Sequence, residues 1–419
     1  MRENPWPRIG WRNLGRHRKR TVLTALGLAV GYFAVVFMIG WTEGLVAEMV
    51  ENATGLVSGQ IEIHAAEYRP ERSIYDTIGG RDGADVGGLL DRIGADPGVV
   101  AAAPRVYAAG LVSSGESTSA GMFMGIDPGR ELSVSRFLHG LVDGQVPEPG
   151  RQELAIGSEM ARQLDVGVGE EVVVVAPGAD GSMGNDLYTV AGIYRTGLAE
   201  LDASNVVLPL EDLQTLIALD PGRVHEIAVA TVEPGIADDT AGRLDAALAP
   251  DGLALDVAPW TELNPVILEY VQLIDSFYLI VFIIVFGIAI FGVANTMLMA
   301  TFERRREIAV MLALGATPRS VVKTVLYEAA GMGLISLAFG VAISLPLMLW
   351  WNTAPPDLSS LYGELTMNGA MIRPVLRVEL NIAIWIWAGV ALLVTALLAA
   401  LYPSARAARV PPADTLSGL

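Results

Sequence analysis

Long runs of uncharged, apolar residues recur four times along the chain. The run at 277–302 carries no charged side chain over 26 positions. An α-helix needs roughly 20 apolar residues to cross a hydrocarbon core about 30 Å thick. The pattern therefore predicts transmembrane helices over 21–43, 273–302, 322–350 and 381–403. The first apolar run is longer than that of a secretory signal peptide, so we expect an uncleaved span.

Between the first two spans the pattern changes to short periods. Apolar and polar residues alternate in Gln60–His64, which is typical of a half-buried strand. Similar short strands and helices follow, separated by Gly-rich turns, and they predict a mixed α/β domain over 44–272 with antiparallel pairing. Helical stalks are expected at Glu43–Val57 and 262–275, and a β-rich subdomain is expected to be inserted at 111–204.

The predicted elements of this domain are the following. Strands are expected at Gln60–His64, Val99–Val112, Ser119–Ile126, Gln152–Ile156, Glu171–Ala176, Tyr188–Tyr194, 225–231 and 253–258. Helices are expected at Asp85–Ile93, Ser158–Leu164, Leu210–Leu219 and 237–248. The loop Pro177–Asp186 lacks the acidic spacing of a calcium loop, so we interpret it as a solvated hairpin tip.

A compact charged segment, 303–320, follows the second span. It opens with three arginines between two glutamates, Glu303 and Glu307, which favour the positive end of a helix dipole. Its apolar side is formed by Ile308, Val310, Met311, Leu312 and Leu314. Gly315 is expected to end the helix. By its residues alone, this segment either docks on a partner protein or rests on the membrane surface.

The charges divide sharply along the chain. The formal charge is −18, but residues 44–270 hold 12 Arg against 36 Asp or Glu, net −24, and the remainder is net +6. Basic residues gather at 1–20, after the second span and in the tail 404–419. Since basic flanks stay cytoplasmic, both termini are predicted inside, and the large domain and the loop 351–380 outside. Residues 1–20 are interpreted as a helix lying in the membrane interface or as a basic segment that sets the membrane topology.

Several kinds of chemistry are excluded or unsupported. The acidity argues against a nucleic-acid partner. The chain has no cysteine, and its four histidines lack metal-ligand spacing, so we expect no metal site and no cofactor. Neither of the two lysines follows a P-loop glycine pair, and no GxSxG motif occurs, so the chain is not expected to be an enzyme.

Two glycines of the first span have a spacing that suits helix contact. Gly27 and Gly31 form a GxxxG motif, which permits close approach of two helices in a bilayer. Spans one and two are therefore the predicted contact with a second permease chain.

Five segments together resemble the MacB/FtsX/lipoprotein-releasing (LolC/LolE-like) ABC transporter permease family, along essentially the whole chain. They are IGWRNLGRHRKRTVLTALGLAVG, MGIDP, LAIGSEMARQLDVGVGEEVVVV, YTVAGIYRTG and, most specifically, NTMLMATFERRREIAVMLALGATPRSVVKTVLYEAAGMGLI. The resemblance implies four transmembrane helices and a MacB-like core domain with porter- and sabre-type subdomains. SGQIEIHA is more similar to lipoprotein-releasing members than to macrolide exporters.

The resemblance also implies a function and partners. It implies an inner-membrane permease dimer, with a second copy or a sibling permease, above two copies of a cytoplasmic ATPase. The implied ATPase-docking residues are Glu303, Arg304, Arg305, Arg306, Glu307, Ile308, Met311, Leu312, Gly315 and Ala316. Outside, a lipoprotein, another hydrophobic cargo, a hydrolase or an adaptor is the expected partner. Two alternatives stay open: a regulator of a cell-wall hydrolase like the cell-division members, and an ATPase-independent membrane sensor.

Overall fold

The computed structural model describes residues 6–16, 18–80, 83–115, 117–356, 365–367, 370–372 and 377–417. It divides into two compact units. One comprises Met1–Val46, Val271–Ser360 and Val375–Leu419, and the other Ala47–Tyr270 and Leu361–Pro374. Much of the predicted 351–380 loop lies outside the described residues, as do residues 1–5 and 17 of the predicted interfacial helix and residues 418–419 of the tail.

The helices and strands have the following bounds. The helices are α1 (Trp6–Leu14), α2 (Arg18–Ala53), α3 (Val86–Gly94), α4 (Pro128–Glu131), α5 (Ser158–Leu164), α6 (Ala199–Ser204), α7 (Leu210–Leu216), α8 (Ala237–Leu248), α9 (Trp260–Leu263), α10 (Pro265–Glu303), α11 (Arg305–Ala313), α12 (Pro318–Thr353), α13 (Ile382–Ala407) and α14 (Pro412–Ser417). The strands are β1 (Ile61–Ala65), β2 (Val99–Ser114), β3 (Ser117–Ile126), β4 (Leu141–Gly144), β5 (Glu153–Gly157), β6 (Glu171–Pro177), β7 (Met183–Tyr194), β8 (Asn205–Pro209), β9 (Glu226–Thr231), β10 (Leu255–Pro259), β11 (Leu365–Met367) and β12 (Ala370–Ile372).

Four helices of the described chain, α2, α10, α12 and α13, are long and apolar enough to cross a membrane. Their number matches the prediction. A helix satisfies its own backbone hydrogen bonds, which hydrocarbon cannot do, so apolar runs of this length fold as helices. At 1.5 Å per residue, the 36 residues of α2 extend about 54 Å, more than the bilayer core requires.

Small residues bring helices close together in the first unit (Met1–Val46, Val271–Ser360 and Val375–Leu419), which we call the membrane-type unit. A methyl group added at Gly340 of α12 would lie 2.7 Å from the Tyr32 ring of α2, and one at Gly333 would lie 3.1 Å from Leu393 of α13. Likewise, Gly10 of α1 lies directly against α12. These glycines therefore fix contacts that a larger side chain would open, as is usual where the hydrophobic effect does not drive association.

The second unit is built on a mixed, ten-stranded sheet. Its strand order is β10-β1-β9-β2-β3-β8-β5-β7-β4, and β6 pairs with β2 and β7. The β3–β8 and β5–β7 pairs are parallel, whereas the others are antiparallel. Strand β2 pairs with β9 near its start and with β6 near its end, so the proposed boundary at residue 111 falls inside one continuous strand. The bounds 111–204 stay a prediction.

A short π-helical turn, Thr54–Ser58, joins the end of α2 to β1. Gly59 follows with φ +79°, a conformation that favours glycine, and its N–H donates to the Thr54 carbonyl at 2.7 Å. The Gln60 side chain donates to Thr54 Oγ1 at 3.2 Å and accepts from the Thr231 N–H at 3.0 Å. This one buried amide therefore ties the helix end to the sheet.

Replacing Gly184 with alanine tests the packing of β7 against α7. The new methyl group would lie 1.9 Å from the Leu216 carbonyl oxygen, so the backbone must shift, and we expect a loss of about 1–3 kcal/mol in unfolding free energy. Thermal unfolding of the full chain in detergent measures it. Gly242→Ala in α8 is the control, since its methyl group meets no described atom within 4 Å and helix propensity favours alanine. A Gly184→Ala melting temperature equal to wild type would contradict this packing.

Candidate functional site

The segment predicted to dock an ATPase forms a short helix, α11, between α10 and α12. Gly315 has φ +95°, and the N–H groups of Gly315 and Ala316 donate to the carbonyls of Leu312 and Met311. This left-handed ending explains why glycine stands there. Thr317 then caps α12, accepting a hydrogen bond from the Ser320 N–H, so a new helix begins at once.

Arg304 is the best buried of the three arginines, and it forms ion pairs within the chain. Its side chain is 15% exposed and contacts Glu328 of α12 at 3.1 Å. It also reaches Glu307 at 3.3 Å. Ion pairs in partly buried positions hold a geometry better than exposed pairs do. Arg304 therefore fixes the start of α11 against α12.

Two further ion pairs join the beginning of the chain to this segment. Arg16 contacts Glu307 at 3.0 Å, and Arg20 of α2 contacts Glu303 at 3.0 Å. The Arg20 guanidinium also donates to the Thr296 carbonyl of α10. The predicted glutamates thus bind arginines of the same chain.

The apolar side chains of α11 divide into an inward and an outward set. Ile308 is 4% exposed and belongs to the unit's apolar core, and Met311 and Leu312 pack against that core. Val310 and Leu314 point outward, and Leu314 is 83% exposed. Arg305 and Arg306 are also exposed. The outward surface is therefore made of Arg305, Arg306, Val310 and Leu314, which we call the α11 outer face.

Gly27 and Gly31 differ in their surroundings. A methyl group added at Gly27 would meet no described atom within 4 Å, whereas one at Gly31 would lie 3.7 Å from Val285 of α10. Leu23 and Val30, beside Gly27 on α2, are exposed apolar residues. Gly27 thus lies on an open apolar surface of the protomer, and Gly31 faces a helix of the same chain.

Sequence reasoning missed a charged cluster buried in the second unit. Arg105 of β2 is fully buried, and its guanidinium contacts Glu131 at 2.6 Å and Glu226 at 3.0 Å. The Tyr107 hydroxyl donates to the same Glu226 oxygen at 3.0 Å. A buried guanidinium is tolerated only when it is paired and hydrogen-bonded, and these contacts meet that condition.

His64 lies at the other side of Glu226. Its Nε2 is 3.2 Å from a Glu62 oxygen and 3.4 Å from a Glu226 oxygen. Burial lowers the pKa of His64, but the two carboxylates more than offset this and raise it to about 9. Burial, with the nearby Glu226, raises the pKa of Glu62. The sequence signal for part of this cluster was the alternation in Gln60–His64, because alternate residues of a strand share a face and this places Glu62 and His64 together on β1.

A cavity of about 580 Å³ opens beside this cluster. Its polar lining includes Glu62, Tyr68, Arg72, Tyr107 and Glu226. Its apolar lining includes Ile74, Met122, Met124, Leu198, Leu201 and Leu263. A cavity lined by both charged and apolar side chains has the composition of a ligand site.

Comparisons with known proteins cover nearly the whole chain. Residues 21–247 match the MacB-like periplasmic core domain, and residues 279–412 match the FtsX-like permease C-terminal domain. The lipoprotein-releasing system transmembrane protein LolC of Neisseria meningitidis is 25% identical over 94% of this chain and 93% of its own length. LolE of Haemophilus influenzae is 24% identical over 98% of both.

Among solved structures, the periplasmic region of MacB from Actinobacillus actinomycetemcomitans is similar with a TM-score of 0.36 and 13% identity. It covers 52% of this chain and 97% of that one. The core-domain match alone takes in more than half of the chain. The chain therefore belongs to the family of ABC transporter permeases that combine a MacB-like periplasmic core domain with an FtsX-like permease domain.

Proposed function

We propose that this chain is the permease subunit of an ABC transporter that turns ATP hydrolysis by a separate, cytoplasmic ATPase into movement of its extracytoplasmic domain. That movement extracts or exports a lipoprotein or another hydrophobic cargo. The observation that carries the proposal is the similarity, along almost the full length, to transmembrane proteins named for lipoprotein release. The lack of a P-loop motif in the sequence supports the part of the proposal that gives ATP hydrolysis to a partner chain.

The α11 outer face is the proposed ATPase-docking surface. It offers two cations, Arg305 and Arg306, beside two apolar side chains, Val310 and Leu314. Arginine next to exposed apolar area is the composition of an interface centre. Arg304, Glu303 and Glu307 belong to the same segment but act by holding it in place through their ion pairs.

The proposed assembly has two permease chains over two ATPase copies in the inner membrane. Both termini and α11 lie in the cytoplasm, and residues 47–270 lie outside. This orientation rests on the basic residues that flank the spans. The open surface around Gly27 on α2 is the proposed contact with the second permease chain.

Charge reversal on the α11 outer face tests docking. Arg305→Glu/Arg306→Glu should reduce binding of the ATPase by at least about tenfold, since losing interfacial charge pairs costs more than 1.4 kcal/mol. The full chain is captured from membranes, and a soluble ATPase with a P-loop motif is identified and titrated by mass spectrometry. Arg304 is left intact because its pairing with Glu328 holds α11.

Arg18→Glu/Lys19→Glu is the matched control for docking. Both side chains are exposed in the first turn of α2, and the change of charge is the same. Glutamate is favoured at a helix start, so this variant should fold and retain the ATPase. Protease protection checks that both variants insert normally. If Arg305→Glu/Arg306→Glu bound the ATPase as tightly as the control variant does, docking at α11 would be refuted.

The dimer contact is tested by crosslinking, because the chain has no cysteine of its own. A single Val30→Cys should crosslink to a second permease chain in membranes, and adding Gly27→Leu should lower the crosslinked fraction severalfold by forcing the helices apart. Ala342→Leu, at an exposed position of α12, is the small-to-large control and should leave crosslinking unchanged. Unchanged crosslinking with Gly27→Leu would place the interface elsewhere.

Reconstitution tests the proposed cargo. The chain and its ATPase in liposomes that hold an acylated lipoprotein should release the lipoprotein to the aqueous phase only with ATP. Arg305→Glu/Arg306→Glu should abolish release, because the ATPase no longer binds the permease and its motion is not transmitted. ATP-dependent activation of a cell-wall hydrolase without any release would favour the regulator instead, and activity without any ATPase would favour the sensor.

A further inference from the structure

Three potential ligand atoms converge inside the second unit, on two neighbouring strands. Glu62 and His64 stand two residues apart on β1, and Glu226 on β9 is the direct antiparallel partner of His64. One nitrogen or oxygen atom of each side chain lies within 4.8 Å of the other two. Side chains of alternate residues point to the same face of a sheet, so the register itself brings the three together.

His64 is fully buried and incompletely satisfied. Its Nε2 points between the two carboxylates, at 3.2 and 3.4 Å, yet neither contact is aligned as a hydrogen bond. The same holds for Glu62 Oε2, which has no hydrogen-bond partner among the described residues. Buried polar atoms are nearly always paired, and one metal ion would pair these ligand atoms at once.

The buried charges suit a divalent cation. Glu62, Glu131 and Glu226 are buried, and Arg105 is the guanidinium buried among them. These four groups sum to −2, and a histidine that ligates a metal is neutral. Arg72 is 4.0 Å from Glu62 but has its side chain 58% exposed, so water screens it. A divalent cation would cancel the buried charge.

We propose that Glu62, His64 and Glu226 bind Zn²⁺ through one carboxylate oxygen each and His64 Nε2. Zinc bonds to nitrogen and oxygen measure about 2.0–2.2 Å, which places tetrahedral neighbours about 3.3–3.5 Å apart. The observed 3.2 and 3.4 Å are close to these edges. Imidazole with carboxylates suits zinc better than magnesium or calcium, which prefer oxygen alone.

The surroundings fit a three-ligand site. Arg105 and the Tyr107 hydroxyl hold the second oxygen of Glu226, and Glu131 holds Arg105, so the ligand is oriented by a chain of hydrogen bonds. Glu62 and Glu226 also line the cavity of about 580 Å³. Water or a Lewis-basic group of a ligand in that cavity would complete the coordination.

The test uses the full chain, purified in detergent without a polyhistidine tag, stripped with chelator and titrated with Zn²⁺. Metal analysis should give about one Zn²⁺ per wild-type chain, and zinc should raise the melting temperature. Glu62→Gln, His64→Gln and Glu226→Gln should each lose the bound zinc. His139→Gln is the control, because this histidine is exposed and lies outside the cluster.

Cobalt gives a readout that does not depend on the variants folding. Co²⁺ added to the wild-type chain should give the visible bands of a four-coordinate site, and Zn²⁺ should abolish them. A folded wild-type chain that binds neither metal overturns the proposal, as does a folded His64→Gln variant that keeps the wild-type stoichiometry. Loss of zinc from His139→Gln as well as from the ligand variants would also overturn it, since binding would then not depend on the three ligands.

Discussion

Hydrocarbon accepts neither charge nor an unpaired backbone group, and this constraint arranges the membrane-type unit. Four helices satisfy their own hydrogen bonds, and the charged residues are displaced to the helix ends. At those ends the charged residues form ion pairs, Arg20 with Glu303 and Arg304 with Glu328. The ion pairs that hold α11 thus lie at the ends of the apolar spans. Arg305 and Arg306, for which the described residues provide no ion pair, are exposed.

The second unit differs, because it buries charged side chains in its interior. Arg105 is enclosed by Glu131 and Glu226, and truncating one member of such a group leaves an uncompensated charge. The cluster draws on β1, β2 and β9, which are adjacent in the sheet. A slip of one residue in any pairing would turn a charged side chain toward the other face. The buried charges and the strand register therefore specify each other.

Elements with a strong local signal were predictable. The four spans and the helix Ser158–Leu164 follow from composition and period, and Gly315 ends α11 as expected. Strand ends were less accurate: β7 begins at Met183, inside the predicted hairpin loop, because pairing with β6 extends it beyond its apolar residues.

The buried cluster lies beyond local reasoning. Glu62 and Glu226 are distant in sequence, and only the β1–β9 pairing makes them neighbours. The absence of HxxxH spacing excluded a helical metal motif but said nothing about ligands on separate strands. In α11, the periodicity marked an apolar side correctly, yet it could not show that Ile308 faces the chain's own core while Leu314 faces outward.

Gln60 connects the end of α2 directly to the sheet. Its side-chain amide donates to Thr54 in the π-helical turn and accepts from the Thr231 N–H of β9, and its backbone continues into β1. A displacement of the turn Thr54–Ser58 would therefore pass through Gln60 to β1 and β9 together, the two strands that carry Glu62, His64 and Glu226.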